Sequence, residues 1–159
     1  MATDAVERFR SRAAEVGVEV TVSEFPEGTR TAADAAAAIG CDLAQIVKSL
    51  VFLADEVPVL CLTSGANRVD ERALAAALGA TGVGKADADQ VRAATGYAIG
   101  GTPPFGHDTS IRIVCDRDLL LFDEVWAAVG TPTTVFPLSP GDLVQVTGAV
   151  LAEIALARP

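Results

Sequence analysis

The stretch that decides the fold is residues 47–63, VKSLVFLADEVPVLCLT. It contains two runs rich in Val and Leu, residues 47–53 and 57–63, which are separated by Ala54-Asp55-Glu56. Short apolar runs joined by a polar segment are typical of a β-hairpin. Strands that are apolar on both faces are typical of the middle of a sheet. We therefore predict that this hairpin forms the centre of the core.

Helices and further strands are predicted on both sides of this hairpin from apolar spacing and capping residues. Helices are predicted at residues 3–17, from Asp70 to Leu78, from Asp87 to the residue before Gly96, and at residues 123–129, where Trp126 is expected to be buried. Capping boxes at Thr31-x-x-Asp34 and Asp42-x-x-Gln45 predict two short helices, and Ser139-Pro140 predicts the start of another. The other predicted strands are 18–22, 111–115, 133–136 and 150–154. This order predicts a single α/β domain over residues 1–159, with a mixed, curved sheet flanked by helices.

The charge and composition exclude several classes of protein. A net charge of -9 argues against nonspecific binding to a nucleic-acid duplex, so we expect no DNA partner. Any local contact with a nucleic acid would need a few basic groups, such as Arg30, Lys48, Arg68 and Lys85, to gather on one face. Three widely spaced cysteines predict neither a disulfide nor a zinc site, and we expect no metal or cofactor. With no run of about 18 apolar residues, we expect a soluble, cytoplasmic protein.

Two features indicate a binding site for an anion and a carbonyl group. Lys48 lies in an apolar strand, where a buried ammonium needs a negative partner, although strand lysines also extend to water. Leu50 and Phe52 share its face at a period of two, which would place the ammonium at the mouth of an apolar cleft. The second feature is the glycine–proline loop, residues 99–107, IGGTPPFGH. Its glycines let backbone N–H groups approach a ligand closely, and its prolines stiffen the backbone.

Other candidate motifs are weaker. Residues 79–86, GATGVGKA, nearly match a phosphate-binding P-loop, but Ala86 replaces the required Ser or Thr, so we interpret them as a helix stop and a turn. Ser64, Asn67 and Arg68 form a polar cluster at the end of the second hairpin strand and serve equally well as turn residues or as ligand contacts. Without a nucleophile elbow, the single histidine does not indicate a serine hydrolase.

The thiols are expected to be structural. Cys61 lies within an apolar strand and is predicted to belong to the core, whereas Cys41 follows a predicted helix end and is expected to be partly exposed.

Several motifs occur in the order found in one known family. They are TAAD at 31–34, IVKSL at 46–50, SGANRVD at 64–70, ATGYAIGG at 94–101, PPFGH at 103–107 and VFPL at 135–138. Together they resemble the YbaK family of editing domains, which is related to the insertion domain of bacterial prolyl-tRNA synthetase. The likeness spans about residues 25–155, and its most specific parts are the lysine strand and the glycine–proline loop.

The resemblance implies a trans-editing deacylase that removes a wrongly attached amino acid from the 3′ end of tRNA. It implies that Lys48 holds the terminal adenosine, and that Gly100 and Gly101 surround the ester carbonyl and the free ribose hydroxyl. The substrate-binding residues that it implies are Thr31, Ser64, Asn67, Arg68, Pro104, Phe105, Gly106 and His107, with Phe105 and His107 shaping the loop. The expected partners are mischarged aminoacyl-tRNA and a prolyl-tRNA synthetase, with the chain a monomer or a weak homodimer.

The resemblance leaves the substrate and the chemistry open. Cys, Ala, Ser and Thr adducts are all candidates, tRNA(Pro) is a candidate carrier, and Ser49 stands where the cysteinyl branch has threonine. Water or a group of the substrate itself would attack the ester. Two other functions fit the same cleft: a non-catalytic module that binds tRNA ends or a nucleotide and docks on a synthetase, and a hydrolase of an unrelated small ester or amide.

Overall fold

The computed structural model describes residues 2–25 and 31–157. The helices in these residues are α1 (Ala2–Glu15), α2 (Ala32–Ile39), α3 (Glu71–Leu78), α4 (Ala88–Thr95) and α5 (Pro140–Thr147). The strands are β1 (Ser23–Glu24), β2 (Val47–Ala54), β3 (Val57–Ser64), β4 (Val83–Lys85), β5 (Arg112–Asp116), β6 (Val125–Ala128), β7 (Thr134–Leu138) and β8 (Val150–Ala152). Short 3₁₀ turns occur at Leu43–Gln45 and Arg117–Leu121. No helix among the described residues is long and apolar enough to cross a bilayer.

The strands form two sheets rather than one. The larger has the order β4-β2-β3-β5-β8, and it is mixed because β2 and β3 are antiparallel whereas β3, β5 and β8 run parallel. The smaller is antiparallel, with the order β1-β7-β6. The α/β class and the mixed sheet are confirmed. The predicted hairpin is also confirmed as the centre of the core, since Leu60 and Leu62 of β3 are fully buried.

Two predicted elements are wrong. Residues 123–129 do not form a helix: β6 pairs with β7, with Trp126 opposite Pro137, and Trp126 is only partly buried. Val125 and Ala127 are buried on the opposite side, which is the alternation of a strand. The acidic pair before Val125 resembles a helix start, but pairing with β7 outweighs this local preference. Residues 18–22 are not a strand either, because β7 pairs only with Ser23 and Glu24.

The predicted caps are present, and they set the helix ends. The Thr31 hydroxyl accepts the Asp34 N–H at 3.1 Å, while the Thr31 N–H donates to the Asp34 carboxylate at 3.2 Å. The Asp42 box opens only a 3₁₀ turn. Gly79 ends α3 with a positive φ of 67°, so the predicted helix stop is confirmed, but the turn is short because Val83–Lys85 form β4 and pair with β2. The remaining caps, Asp70, Asp87 and Ser139, also accept helix N–H groups as predicted.

Helix α1 packs on the glycine–proline loop. The Phe9 ring is fully buried, with its centroid 4.9 Å from that of Phe105 in the loop and 5.4 Å from that of Phe136 in β7. Arg12 donates to the Gly106 carbonyl at 2.9 Å and pairs with Asp108 at 2.8 Å. The loop is therefore held from outside by an aromatic contact and an ion pair.

Replacing Phe9 by Ala should lower the free energy of unfolding by about 3–5 kcal/mol, because a fully buried ring leaves a cavity between α1, the loop and β7. Urea unfolding followed by circular dichroism measures this loss. Val16→Ala is the control, since Val16 is 56% exposed and its loss should stay within about 0.5 kcal/mol. Equal losses in the two variants would show that α1 lies outside the cooperative core.

Candidate active site

A cavity of about 230 Å³ lies where the start of β2 faces the smaller sheet. Its walls come from the beginning of α2, from β2, from the glycine–proline loop and from the β6–β7 hairpin. The lining residues are Thr31, Ala32, Ala35, Ile46, Val47, Lys48, Ser49, Leu50, Ile99, Gly100, Thr102, Trp126, Ala128, Pro132 and Val135. Three predicted site residues, Thr31, Lys48 and Gly100, are thus brought together.

The cavity borders a short open edge of β2, between the end of β4 and the isolated bridge that joins Ile46 to Trp126. β4 pairs with residues 52–54 of β2, and the last contact on that side is the Ala86 N–H to the Val51 carbonyl at 3.1 Å. In an antiparallel ladder the main-chain groups point alternately to the two sides. The main-chain N–H and carbonyl of Ser49 therefore point to the same side as those of Val51, but β4 ends before it could pair with them. This open edge forms one wall of the cavity.

Lys48 connects this cavity to a second recess. The Lys48 ammonium donates to the Asn67 carbonyl at 2.7 Å. Its side chain shares a face with Leu50 and Phe52, as predicted, and these line a groove of about 520 Å³ with Arg68 and Lys85. We call this the basic groove; its remaining lining residues are Val69, Glu71 and Leu156.

The cations of the basic groove lie close enough together to affect the pKa of Lys48. Burial lowers the pKa of Lys48, and the positive charges of Lys85 and Arg68 lower it further. Both effects disfavour the ammonium, so an anion in the groove would be stabilising. Three of the four basic groups considered from the sequence do gather on one face, while Arg30 lies outside the described residues.

A buried carboxylate positions the main-chain oxygen that binds Lys48. Asp116 is 1% exposed, and it accepts the Asn67 side-chain N–H at 2.9 Å and the Ser64 main-chain N–H at 3.1 Å. The Ser64 hydroxyl donates to the Ala44 carbonyl at 2.8 Å. Ser64 and Asn67 therefore hold the loop behind Lys48 and do not line the cavity. Sequence reasoning missed Asp116, although an acid ending an apolar strand was a usable signal.

The two catalytic glycines predicted in the loop have different surroundings. Gly100 is exposed and lines the cavity at the third position of a turn, with a φ of 87° that favours glycine. The Gly101 N–H closes this turn by donating to the Ala98 carbonyl at 3.0 Å. A Cβ on Gly101 would lie 2.8 Å from the Gly130 carbonyl oxygen. Of the two glycines, only Gly100 lines the cavity and has an N–H without a partner among the described residues, whereas Gly101 allows close packing.

Ile99 and Thr102 of the glycine–proline loop also line the cavity, whereas residues 103–107 lie away from it. Pro104 and Phe105 are buried, and the Gly106 carbonyl accepts the Tyr97 hydroxyl at 3.3 Å as well as Arg12. His107 donates from Nε2 to the Pro103 carbonyl at 2.7 Å, and burial lowers its pKa. These contacts indicate that Pro104, Phe105, Gly106 and His107 maintain the shape of the loop.

Sequence reasoning also missed the wall opposite β2. Trp126 and Ala128 of β6, together with Pro132 and Val135, close that side of the cavity. The signal was the alternation of residues 125–128, which the helix prediction overlooked.

The thiols are structural, as predicted. Cys61 and Cys115 are buried, which raises the pKa of each to about 12, and Cys41 is half-buried with a raised pKa. None of them would supply a thiolate at neutral pH.

Comparison with known proteins gives consistent matches. The model of the aminoacyl-tRNA editing domain family matches residues 26–146. The proline–tRNA ligase of Streptococcus sanguinis is 36% identical over 88 residues, which are 55% of this chain but only 14% of the ligase. The uncharacterized protein YwhH of Bacillus subtilis is 29% identical over 126 residues, 79% of this chain and 80% of that protein.

Solved structures extend these matches to nearly the full chain. One described as a candidate trans-editing enzyme for prolyl-tRNA synthetase has a TM-score of 0.91 at 40% identity, covering 96% of this chain and 98% of that one. The hypothetical protein APE2540 has a TM-score of 0.86 at 30% identity, covering 94% and 99%. The chain belongs to the aminoacyl-tRNA editing domain family.

Proposed function

We propose that this protein is a trans-editing aminoacyl-tRNA deacylase, in which residues 1–159 act as one editing domain. The observation that carries the proposal is the position of Lys48, which lines both a small apolar cavity and a basic groove. The substrate would be the 3′ end of a mischarged tRNA, with its amino acid in the cavity and its terminal phosphate in the groove.

The cavity suits a small, uncharged amino-acid side chain. Its volume of about 230 Å³ is below the usual range for drug-sized ligands. Most of its lining is apolar, and Lys48 contributes the one charged side chain among the described lining residues. An ammonium on the amino-acid side chain would lose its hydration there without gaining a negative partner, and a carboxylate would compete with the phosphate and the ester for Lys48.

The basic groove suits a phosphodiester. Lys48, Arg68 and Lys85 face it against a single acid, Glu71. On a chain with a net charge of -9 this cluster is local, so it favours a short contact at the end of a nucleic acid rather than a long duplex. Because Lys48 also lines the cavity, a phosphate bound here would lie next to the aminoacyl ester.

The reaction would be hydrolysis of the ester bond. Water, or a nucleophile of the substrate, adds to the carbonyl carbon, the bond to the ribose oxygen breaks, and that oxygen takes up a proton. The Gly100 N–H, which has no hydrogen-bond partner among the described residues, and the Lys48 ammonium would stabilise the negative charge on the carbonyl oxygen. An aminoacyl ester is reactive, so positioning it supplies much of the rate.

The proposed tRNA and the proposed partner are based on the names of similar proteins. Similarity to proline–tRNA ligases and to a candidate trans-editing enzyme for prolyl-tRNA synthetase supports tRNA(Pro) as the carrier and that synthetase as a partner. Cys, Ala, Ser and Thr are the proposed adducts, since their side chains are small enough for the cavity. We propose that the protein acts in the cytoplasm, where aminoacyl-tRNA is made and used.

Lys48→Met should lower the rate of ester loss by about 100-fold or more, the usual effect of removing a group that stabilises the oxyanion. The assay follows labelled Cys-, Ala-, Ser- and Thr-tRNA with purified protein. The melting temperature should not fall much, because burial disfavours the Lys48 ammonium in the folded state. Arg92→Met is the matched control, since Arg92 is exposed and lines neither the cavity nor the groove, and it should leave the rate unchanged.

Full activity of the Lys48→Met variant would overturn the role of Lys48. Binding of every tRNA without ester loss, by the unmodified protein, would instead indicate the non-catalytic binding module.

Removing either Arg68 or Lys85 from the basic groove should weaken tRNA binding and should make the binding constant less dependent on salt concentration. Arg68→Met and Lys85→Met should each reduce the slope of log K against log salt by roughly 0.7–0.9, because one phosphate contact is lost. Titration of a labelled acceptor-stem RNA at several salt concentrations measures the slope. Arg92→Met, which removes an exposed cation outside the groove, should leave the slope unchanged. Unchanged slopes in the groove variants would exclude this groove as the phosphate site.

A further inference from the structure

Three side-chain hydroxyls line the cavity, and they differ in their hydrogen bonds. The Thr31 hydroxyl accepts the Asp34 N–H at 3.1 Å, and the Thr102 hydroxyl donates to the Ala98 carbonyl at 3.0 Å. The Ser49 hydroxyl oxygen is buried and has no hydrogen-bond partner among the described residues. Ser49 therefore carries the side-chain hydroxyl of the cavity that is left for a ligand.

An unpaired buried hydroxyl requires an explanation. Such a group loses its hydration without compensation, and most buried polar groups in proteins have a partner. The cavity that Ser49 lines is built largely from apolar side chains such as Ala35, Ile46, Trp126 and Val135, which offer no acceptor for its proton. Since the described residues supply no partner, a group entering the cavity can supply one.

The backbone at Ser49 adds to its polar character. Its main-chain N–H and carbonyl point to the side of β2 where β4 has already ended. The main-chain carbonyl is an acceptor for the substrate ammonium, which every aminoacyl ester carries. The side-chain hydroxyl, which both donates and accepts, remains for a group that differs between amino acids.

We propose that Ser49 determines specificity by hydrogen bonding to a hydroxyl on the amino-acid side chain, so that Ser and Thr adducts are preferred over aliphatic adducts of similar size. This inference rests on the proposed deacylase function. With an Ala or Val adduct, the Ser49 hydroxyl stays buried and unpaired, whereas a Ser or Thr adduct pairs with it. A site that pairs with a substrate hydroxyl rejects the analogue without it.

The test compares matched adducts on one tRNA. Ser and Ala differ by one hydroxyl, and Thr and Val differ by a hydroxyl in place of a methyl group. The Ser/Ala and Thr/Val ratios of kcat/KM should both be roughly tenfold in the unmodified protein, as expected for one net hydrogen bond. In Ser49→Ala both ratios should fall toward one, and Ser49→Thr, which keeps the hydroxyl, should retain the Ser/Ala preference.

The control is Ser110→Ala, which removes an exposed hydroxyl outside the cavity and should leave both ratios unchanged. The melting temperature of Ser49→Ala should be equal to or above that of the unmodified protein, because the variant removes an unpaired buried group.

The outcomes separate this inference from the function on which it rests. Hydrolysis with equal or faster loss of Ala and Val adducts would overturn the role of Ser49 and leave the deacylase in place. An equal loss of rate on all four adducts in Ser49→Ala would also overturn it, since Ser49 would then bind a group common to all. No ester loss from any adduct would overturn the deacylase itself and this inference with it.

Discussion

The rest of the structure depends on the unequal pairing of β2. Its second half has a strand on each side, β3 and β4, whereas its first half pairs with β3 and, on the other side, has among the described residues only the isolated bridge from Ile46 to Trp126 of β6. An open edge inside a protein leaves main-chain polar groups that need partners. Around this edge the fold places the start of α2, the glycine–proline loop and the β6–β7 hairpin, which leave a cavity instead of a further strand.

The period of a strand then divides the functions of β2 between two compartments. Val47 and Val51 face the main core, whereas Leu50 and Phe52 face the opposite side of the sheet together with Lys48. The ammonium reaches the basic groove while the residue still borders the cavity. A phosphate site and a pocket for an amino acid can therefore share one residue, which suits a substrate whose phosphate and ester are separated by one nucleotide.

The glycine–proline loop illustrates how much of a motif's role can be predicted from the sequence. Its glycines and prolines correctly indicated a special backbone, but only its first part, through Ile99, Gly100 and Thr102, reaches the cavity. Gly101 closes a turn and packs against Gly130, Phe105 packs against Phe9, and Gly106 accepts a hydrogen bond from Arg12. Much of the motif is thus required for holding one turn in place. Helix α1, which lies outside the residues matched by the family model, provides two of these contacts.

By itself, the sequence determined the features that depend on near neighbours. Apolar runs and a short polar link specify the β2–β3 hairpin, side-chain caps and glycines specify the helix ends, and alternation places Lys48 with Leu50 and Phe52. Only the tertiary structure decided that residues 125–128 are a strand, that Asp116 positions Asn67, and that Ser49 has no partner. These depend on segments far apart in the chain, and a local pattern carries no information on which distant group supplies a hydrogen bond.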